Sequence, residues 1–319
     1  GDAIISTATL LATALIGCQM VTASEILANQ NLKKPTHFFR TFEAVGKKGV
    51  GFVEITGDWF ADTPENPIDA VDQFAGYSHV KDPWLILHTS GTTGKPKFLE
   101  LTHRVVRDRT LAITDDFPTA AVTCAMLFNP TSRPFFARAI GALMNACTIV
   151  HSQTPAFWKT AGVNTVFCSP SQFEAFIAKN EFTFRFRKVE VSGAKLEDDV
   201  ARSLAKWFDT IIDVYGASET NKSYMTEISV DDAGEVTRTG MSCGSEIEIR
   251  DSEGRLCLPG KLGTVRVRNS YLVDGYVENP DATAKAFIDG WFLPGDIARW
   301  GANGTLNIAG RTDEVISFG

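Results

Sequence analysis

Two hydrophobic rhythms divide this chain. From Trp84 onward, short apolar runs recur: "WLIL" (84–87), "VTCAMLF" (122–128), "CTIV" (147–150), "NTVFC" (164–168), "KVEVS" (188–192) and "TIIDVY" (210–215). Runs that are apolar at nearly every position predict strands covered on both faces. Helical patterns lie between them. Residues 134–146 begin at Pro134, which suits a first helical turn, and carry apolar residues at helical spacing. Residues 171–179 follow Ser169-Pro170, and residues 196–208 put Leu196, Val200, Leu204 and Trp207 on one face. This alternation predicts a parallel α/β sheet.

After Tyr224 the period falls to two. "EIEIRD" (246–251), "GTVRVRN" (263–269) and "GTLNIAG" (304–310) alternate between Gly/Pro/Asp turns, which predicts a smaller antiparallel unit. At the other end, "AIISTATLLATALIG" (3–17) is uncharged but diluted by three threonines and a serine, and no basic segment precedes it. It is expected to be a buried helix of a globular lobe and not a signal or a membrane span. Residues 61–83, rich in Pro, Asp and Gly, read as a surface loop.

Composition narrows the field. The 319 residues are 44% hydrophobic, enough for more than one lobe. A net charge of −7 with no long basic run argues against a nucleic-acid partner. Six cysteines without a C-x-x-C pair argue against a disulfide scaffold or metal cluster, and for reduced, mostly buried thiols in a cytoplasmic setting.

The stretch "LILHTSGTTGKPKFLELTH" (85–103) carries the first chemistry. Every residue of Thr89–Lys95 is Ser, Thr, Gly or Lys. Small residues let backbone N–H groups approach an anion, hydroxyls add donors, and lysines add charge. The loop is not G-x-x-x-x-G-K-[ST]: Gly91 and Gly94 are too close, and Lys95 is followed by Pro96. Composition alone leaves two readings, a polyphosphate cradle and a flexible surface loop.

"TSGTTGKPK" resembles the signature loop of the adenylate-forming superfamily, which contains acyl-CoA synthetases, luciferases and adenylation domains of nonribosomal peptide synthetases. "VSGAKL" (191–196), "VYGASETN" (214–221), "GWFLPGDIARW" (290–300) and "GRTDEVISFG" (310–319) resemble that family's further motifs, in its order. The resemblance implies an α/β fold: two α/β subdomains with largely parallel sheets, plus a smaller antiparallel, β-barrel-like subdomain. Its divisions would be 1–80, a partial N-terminal lobe; 81–222, a lobe with the phosphate loop and acyl pocket; and 223–319, a β-rich subdomain ending at a hinge. The family's C-terminal lid domain, with a lysine for the α-phosphate, would follow Gly319, so the chain is read as the core of a longer protein.

The activity implied is ATP-dependent conversion of a carboxylic acid to an acyl-adenylate, followed by transfer to a thiol, either CoA or the phosphopantetheine of a carrier protein. Thr89, Ser90, Gly91, Thr92, Thr93, Gly94 and Lys97 would hold the β- and γ-phosphates. Gly193, Ala194, Asp213, Tyr215 and Gly216 would form the adenine site, with Tyr215 as a flat face. Ser218 would donate to the α-phosphate, and Glu219 would hold Mg²⁺, a cation that takes carboxylate and phosphate oxygens. Asp296 would accept the ribose hydroxyls, and Arg311 would reach ribose and phosphate. Lys97 and Glu219 are the implied catalytic pair. Phe98 and Pro294 depart from the usual motifs without removing a charged ligand.

Phe128, Asn129, Arg133, Ser192, Val214 and Lys222 fall where the family builds its acyl pocket. Amino-acid-activating relatives carry Asp at the position aligned with Asn129. An asparagine cannot neutralise an ammonium, which points to an aryl or other non-α-amino acid. Arg133 and Lys222 are expected either to favour a second anionic or polar group, or to be solvated surface charges. The remaining alternatives are an amino-acid-activating adenylation domain and a non-catalytic nucleotide-binding relative; the presence of Lys97, Glu219, Asp296 and Arg311 argues against the latter.

Overall fold

The computed structural model describes residues 3–21, 37–40, 51–54, 79–89, 97–114, 117 and 121–312. The chain divides into two compact units, one of Gly1–Arg104 with Asn129–Ser132, the other of Val105–Phe128 with Arg133–Gly319.

In the first unit, α1 (Ala3–Leu15) is followed by β1 (Met20–Val21), β2 (His37–Arg40), β3 (Gly51–Glu54), β4 (Pro83–Thr89) and β5 (Lys97–Thr102). β1 pairs in parallel with β4, β4 pairs antiparallel with β5, and β2 and β3 form a separate parallel pair. α1 is a surface helix and not a buried one: Leu10 and Thr13 are buried, whereas Ile4, Leu11 and Leu15 are exposed. β5 lies in a stretch that the hydrophobic pattern leaves unassigned. Phe98, Leu99 and Leu101 are buried there, so the Ser/Thr/Gly/Lys segment connects an antiparallel hairpin.

The second unit opens with α2 (His103–Leu111), whose first two residues belong to the first unit. Strands and helices then alternate: β6 (Thr123–Met126), α3 (Arg133–Met144), β7 (Thr148–Val150), α4 (Pro155–Ala161), β8 (Thr165–Cys168), α5 (Pro170–Ile177), β9 (Phe186–Ser192), α6 (Asp198–Ala205), β10 (Phe208–Ala217), β11 (Asn221–Val230) and β12 (Val236–Ser242). These strands make a seven-stranded sheet in the order β12-β11-β10-β9-β8-β6-β7. The five from β7 to β10 are mutually parallel, as the alternation predicts, while β11 and β12 add antiparallel. The sheet thus runs to Ser242, across the division expected at residue 223.

Local signals set the helix ends. Ser169 caps α5 by accepting from the Gln172 backbone, and the Gln172 side chain accepts from the Ser169 N–H, with Pro170 in the first turn. α4 begins at Pro155 and ends on Gly162, left-handed at φ 72°. α6 carries Asp198 and Asp199 in its first turn and buries Val200, Ala201 and Leu204.

A second sheet follows, built from β13 (Glu246–Arg250), β14 (Gly263–Arg268), β15 (Phe287–Ile288), β16 (Trp291–Phe292), β17 (Asp296–Trp300) and β18 (Leu306–Arg311), with α7 (Pro280–Ala286) before β15. Its pairings are antiparallel and, among the described strands, leave it open, with order β15-β16-β14-β17-β18 and β13 beside β14.

The larger core is aromatic. Trp158 stacks on Phe176 at 4.8 Å and meets Phe186 edge-on at 5.8 Å, and Phe186 stacks on Phe208 at 5.1 Å. Replacing Phe186 by alanine leaves a void that these rings cannot close. Phe186→Ala is expected to lower unfolding free energy by about 3–5 kcal/mol in urea titration.

Candidate nucleotide site

In the first unit, Thr89 and Lys97 stand opposite each other as the last pair of the β4–β5 hairpin. Ser90, Gly91, Thr92, Thr93 and Gly94 lie outside the described residues. Asn129 is exposed, and its side-chain oxygen accepts from the Thr131 N–H at 2.9 Å and hydroxyl at 2.8 Å, so its carboxamide shapes its own turn.

In the second unit, the parallel strands end along one edge, the position at which α/β sheets commonly bind ligands. Phe128 follows β6 there and is buried. Ser192, the last residue of β9, pairs with Val214 of β10. Exposed Gly193 and Ala194 follow, Gly193 at φ +96° with open space where a Cβ would stand. Tyr215, one residue past Val214, is half-buried.

The Tyr215 hydroxyl donates to Asp296 Oδ2 at 2.6 Å, and Arg311 Nη1 donates to Asp296 Oδ1 at 3.0 Å. Asp296 and Arg311 are cross-strand partners on β17 and β18. Three separate motifs thus meet at one carboxylate. Burial, then the Asp296 charge, holds the Tyr215 pKa well above the usual tyrosine range, so its hydroxyl remains a donor.

The "YGASETN" segment is a tight hairpin. Ala217 pairs with Asn221, Ser218, Glu219 and Thr220 make the turn, and Asn221 closes it in the left-handed region at φ 63°. A side chain at Gly216 would run into the Asn221 carbonyl oxygen, so the hairpin itself demands glycine there. The turn is buried, and its carbonyls need donors. Arg109 of α2 supplies them: Nη1 donates to Ser218 O at 2.9 Å, Nη2 to Glu219 O at 2.5 Å, and Nε to Tyr271 O at 3.1 Å. Asn269 Nδ2 donates to Thr220 O at 2.9 Å. Desolvation pushes the Arg109 pKa down to about 10, with Glu219 opposing, so the guanidinium stays charged at neutral pH.

Glu219 is 6% exposed. Its Oε1 accepts from the Tyr276 hydroxyl at 2.8 Å. Its other oxygen accepts no hydrogen bond among the described residues. No group of three or more His, Cys, Asp or Glu gathers among them to hold a metal. One carboxylate oxygen fits Mg²⁺, which typically takes one or two carboxylates with water and substrate phosphates filling its shell.

Lys222 and Arg133 face inward to partners. Lys222, 5% exposed, pairs with Glu190 at 3.0 Å and is not a solvated charge. Arg133 Nη2 donates to Asn221 Oδ1. Glu190, fully buried on β9, also pairs with Arg138, whose guanidinium lies 6.0 Å from the Phe128 ring centroid. Burial raises the Glu190 pKa, but Lys222, Arg138 and Lys188 outweigh it and hold the carboxyl well below its usual range.

Arg109, Tyr276, Glu190 and Asn269 are absent from the motif reading. Arg109 alone carries a signal: Val105, Val106, Arg109 and Thr110 are buried on one face of α2, so the arginine sits three and four residues from buried valines. No comparable pattern marks Tyr276.

Asp213 on β10 is half-buried, and burial pushes its pKa up to about 6 despite Arg238. A carboxyl with a raised folded pKa costs no stability below its unfolded value near 4. The cost grows as pH rises toward 6 and is constant above. Asp213→Asn is therefore expected to stabilise the protein by about 1–3 kcal/mol at pH 7, with the gain vanishing below pH 4. Urea unfolding across pH 4–8 measures both limits.

The sequence model of the AMP-binding enzyme family matches residues 8–277. The chain is 26% identical over 262 residues to a 4-chlorobenzoate–CoA ligase of an Arthrobacter species, covering 75% of this chain and 49% of that protein. It is 28% identical over 279 residues to a salicylyl-CoA synthase / salicylate adenylyltransferase of a Streptomyces species, covering 81% and 50%. The chain thus spans about half the length of these curated relatives. The structure of O-succinylbenzoate Coenzyme A synthetase (MenE) from Bacillus subtilis, in complex with AMP, shares the fold with a TM-score of 0.73 at 15% identity, over 96% of this chain and 66% of that one. No helix among the described residues is long and apolar enough to cross a membrane. With most of its length matched by the family's sequence model, this chain belongs to the AMP-binding enzyme family.

Proposed function

We propose that the protein containing this chain activates a carboxylic acid with ATP, forming an acyl-adenylate and pyrophosphate, and passes the acyl group to the thiol of CoA or of a carrier protein's phosphopantetheine. One observation carries the reading: Tyr215, Asp296 and Arg311, from three motifs far apart in sequence, share a single hydrogen-bonded cluster. That array suits a ribose, with a carboxylate for two hydroxyls, an aromatic ring alongside, and a guanidinium for the phosphate.

In this reading a carboxylate oxygen attacks the α-phosphorus, the α–β bridging P–O bond breaks, and pyrophosphate departs. The thiolate then attacks the acyl carbon and releases AMP. Protein groups position the reactants and neutralise charge, and none forms a covalent bond. Lys97, Thr89 and the segment Ser90, Gly91, Thr92, Thr93 and Gly94 hold the outer phosphates. Ser218 donates to the α-phosphate, and Gly193, Ala194, Asp213 and Gly216 surround the base. Mg²⁺ bound at Glu219 would offset negative charge on the phosphates. A C-terminal lid domain in the whole protein belongs to the same proposal.

An aryl or other non-α-amino acid is the proposed substrate. Asn129 offers no charge for an ammonium, and the named relatives act on 4-chlorobenzoate and salicylate. Lys222 and Arg138 are already paired with Glu190, so beside Phe128, Ser192 and Val214 the selection falls on shape more than on a second charge.

ATP with Mg²⁺, or AMP, is expected to raise the melting temperature, by about 2.7 kcal/mol of added stability at a hundredfold excess over Kd. Pyrophosphate exchange is expected with benzoates and not with α-amino acids. Asp296→Ala should weaken AMP binding by about 1.5–3 kcal/mol for each ribose bond lost. Absence of any nucleotide-induced shift in the wild-type chain would falsify the reading, and unchanged AMP affinity in a folded Asp296→Ala would remove Asp296 from it.

A further inference from the structure

Tyr276 lies in none of the motif segments quoted above, yet its hydroxyl donates to the Glu219 carboxylate, at 2.8 Å from Oε1. Its ring is buried and packs edge-on against Phe287, with centroids 5.5 Å apart, so the hydroxyl has a fixed origin. The Glu219 backbone is held separately, its carbonyl taking Arg109 Nη2 at 2.5 Å and the Val273 N–H at 3.4 Å. Backbone and one carboxylate oxygen are thus both committed, and the second oxygen accepts no hydrogen bond among the described residues.

We propose that Tyr276 is a positioning residue that presents Glu219 to a divalent cation through one oxygen only. The inference rests on the reading of Glu219 as the metal-binding carboxylate. A one-oxygen carboxylate suits Mg²⁺, which demands octahedral geometry, and denies Ca²⁺ the two-oxygen grip it takes readily at its larger radius. Loss of a donor that orients a metal-binding side chain typically costs about 10–100-fold in metal affinity.

The test measures equilibrium ATP binding to the intact chain, without turnover, as Mg²⁺ or Ca²⁺ is titrated, alongside AMP binding in EDTA. Tyr276→Phe is expected to raise the Mg²⁺ concentration giving half-maximal ATP binding about tenfold. It should shrink the preference for Mg²⁺ over Ca²⁺ and leave AMP affinity as in wild type. In a Glu219→Gln background the same change should shift nothing further, because its effect passes through that carboxylate. If Tyr276→Phe does not fold, Phe287→Leu loosens the ring's support and should move the Mg²⁺ midpoint in the same direction by less.

A folded Tyr276→Phe with wild-type Mg²⁺ midpoint and ion preference overturns the proposal, whatever its melting temperature, as does an equal shift in the Glu219→Gln background. Should both Tyr276→Phe and Phe287→Leu fail to fold, Tyr276 supports the core and the positioning role is lost. A wild-type chain that binds AMP but shows no metal dependence with ATP removes the metal role of Glu219, and this inference with it, while leaving the nucleotide reading intact. A wild-type chain that binds no nucleotide removes both.

Discussion

Arg109 is the contact on which the second unit's polar interior depends. A three-residue hairpin turn cannot pair its own carbonyls, and burying them unpaired costs roughly 1–3 kcal/mol each. One guanidinium takes two of them, on Ser218 and Glu219, and a third on Tyr271. The planar fork of arginine permits this where the single ammonium of lysine would not. Through Tyr271 the same side chain ties the hairpin to the segment that carries Tyr276. The backbone of Glu219 and the donor on its carboxylate therefore share one anchor.

A second consequence concerns the sheet. β10 to β11 is the step at which parallel order gives way to antiparallel, with a register shift between Tyr215 and Gly216. The shift leaves Tyr215 beside β17 and β18 of the other sheet, where its hydroxyl finds Asp296. The bond joins the two sheets, as does Tyr224 of β11, whose hydroxyl donates to Gly304 O and whose ring meets Trp300 of β17 edge-on. Glycine at 216 and the left-handed Asn221 are what make the turn tight enough.

Much of this was legible in the chain, and the gaps have physical causes. The strands that became β6 to β10 announce themselves because a parallel sheet covered on both faces needs continuous apolar runs. Ser169-Pro170 marked a helix start because capping chemistry is local. β11 stayed hidden because its first three residues, Asn221, Lys222 and Ser223, are polar yet buried, each held by a partner distant in sequence or by the turn. β5 stayed hidden because "KFLELT" is short and adjoins a loop of small residues. Within the site, motif order brought out Tyr215, Asp296 and Arg311, since each comes from its own recognisable segment. Lys222 and Arg133 read as candidate pocket charges because one sequence cannot show that Glu190 and Asn221 already face them. The helical spacing of Arg109 from Val105 and Val106 marks its buried face but not the distant carbonyls it holds, and Tyr276 acts on a side chain far away in sequence, which no local pattern encodes.

The pairing of charges in this interior is uneven, and the unevenness has a direction. Arg138 and Lys222 share the single carboxylate of Glu190. Such a buried set adds little net stability over an apolar packing, because desolvation offsets the attraction, and it leaves Arg138 Nε buried without a hydrogen-bond partner among the described residues. Arg109 and Arg133 are satisfied differently, by carbonyl and carboxamide oxygens that carry no net charge. Neutral acceptors meet the geometric needs of a guanidinium without cancelling its field. Both arginines act on Glu219 electrostatically, while burial and the charges of Arg109 and Arg138 push the Arg133 pKa well below its usual range. In a medium of low effective dielectric such like charges are felt over several ångströms. In the proposed reading, the positive groups beside the turn add to the pull on an incoming phosphate, while the Glu219 carboxylate serves the cation.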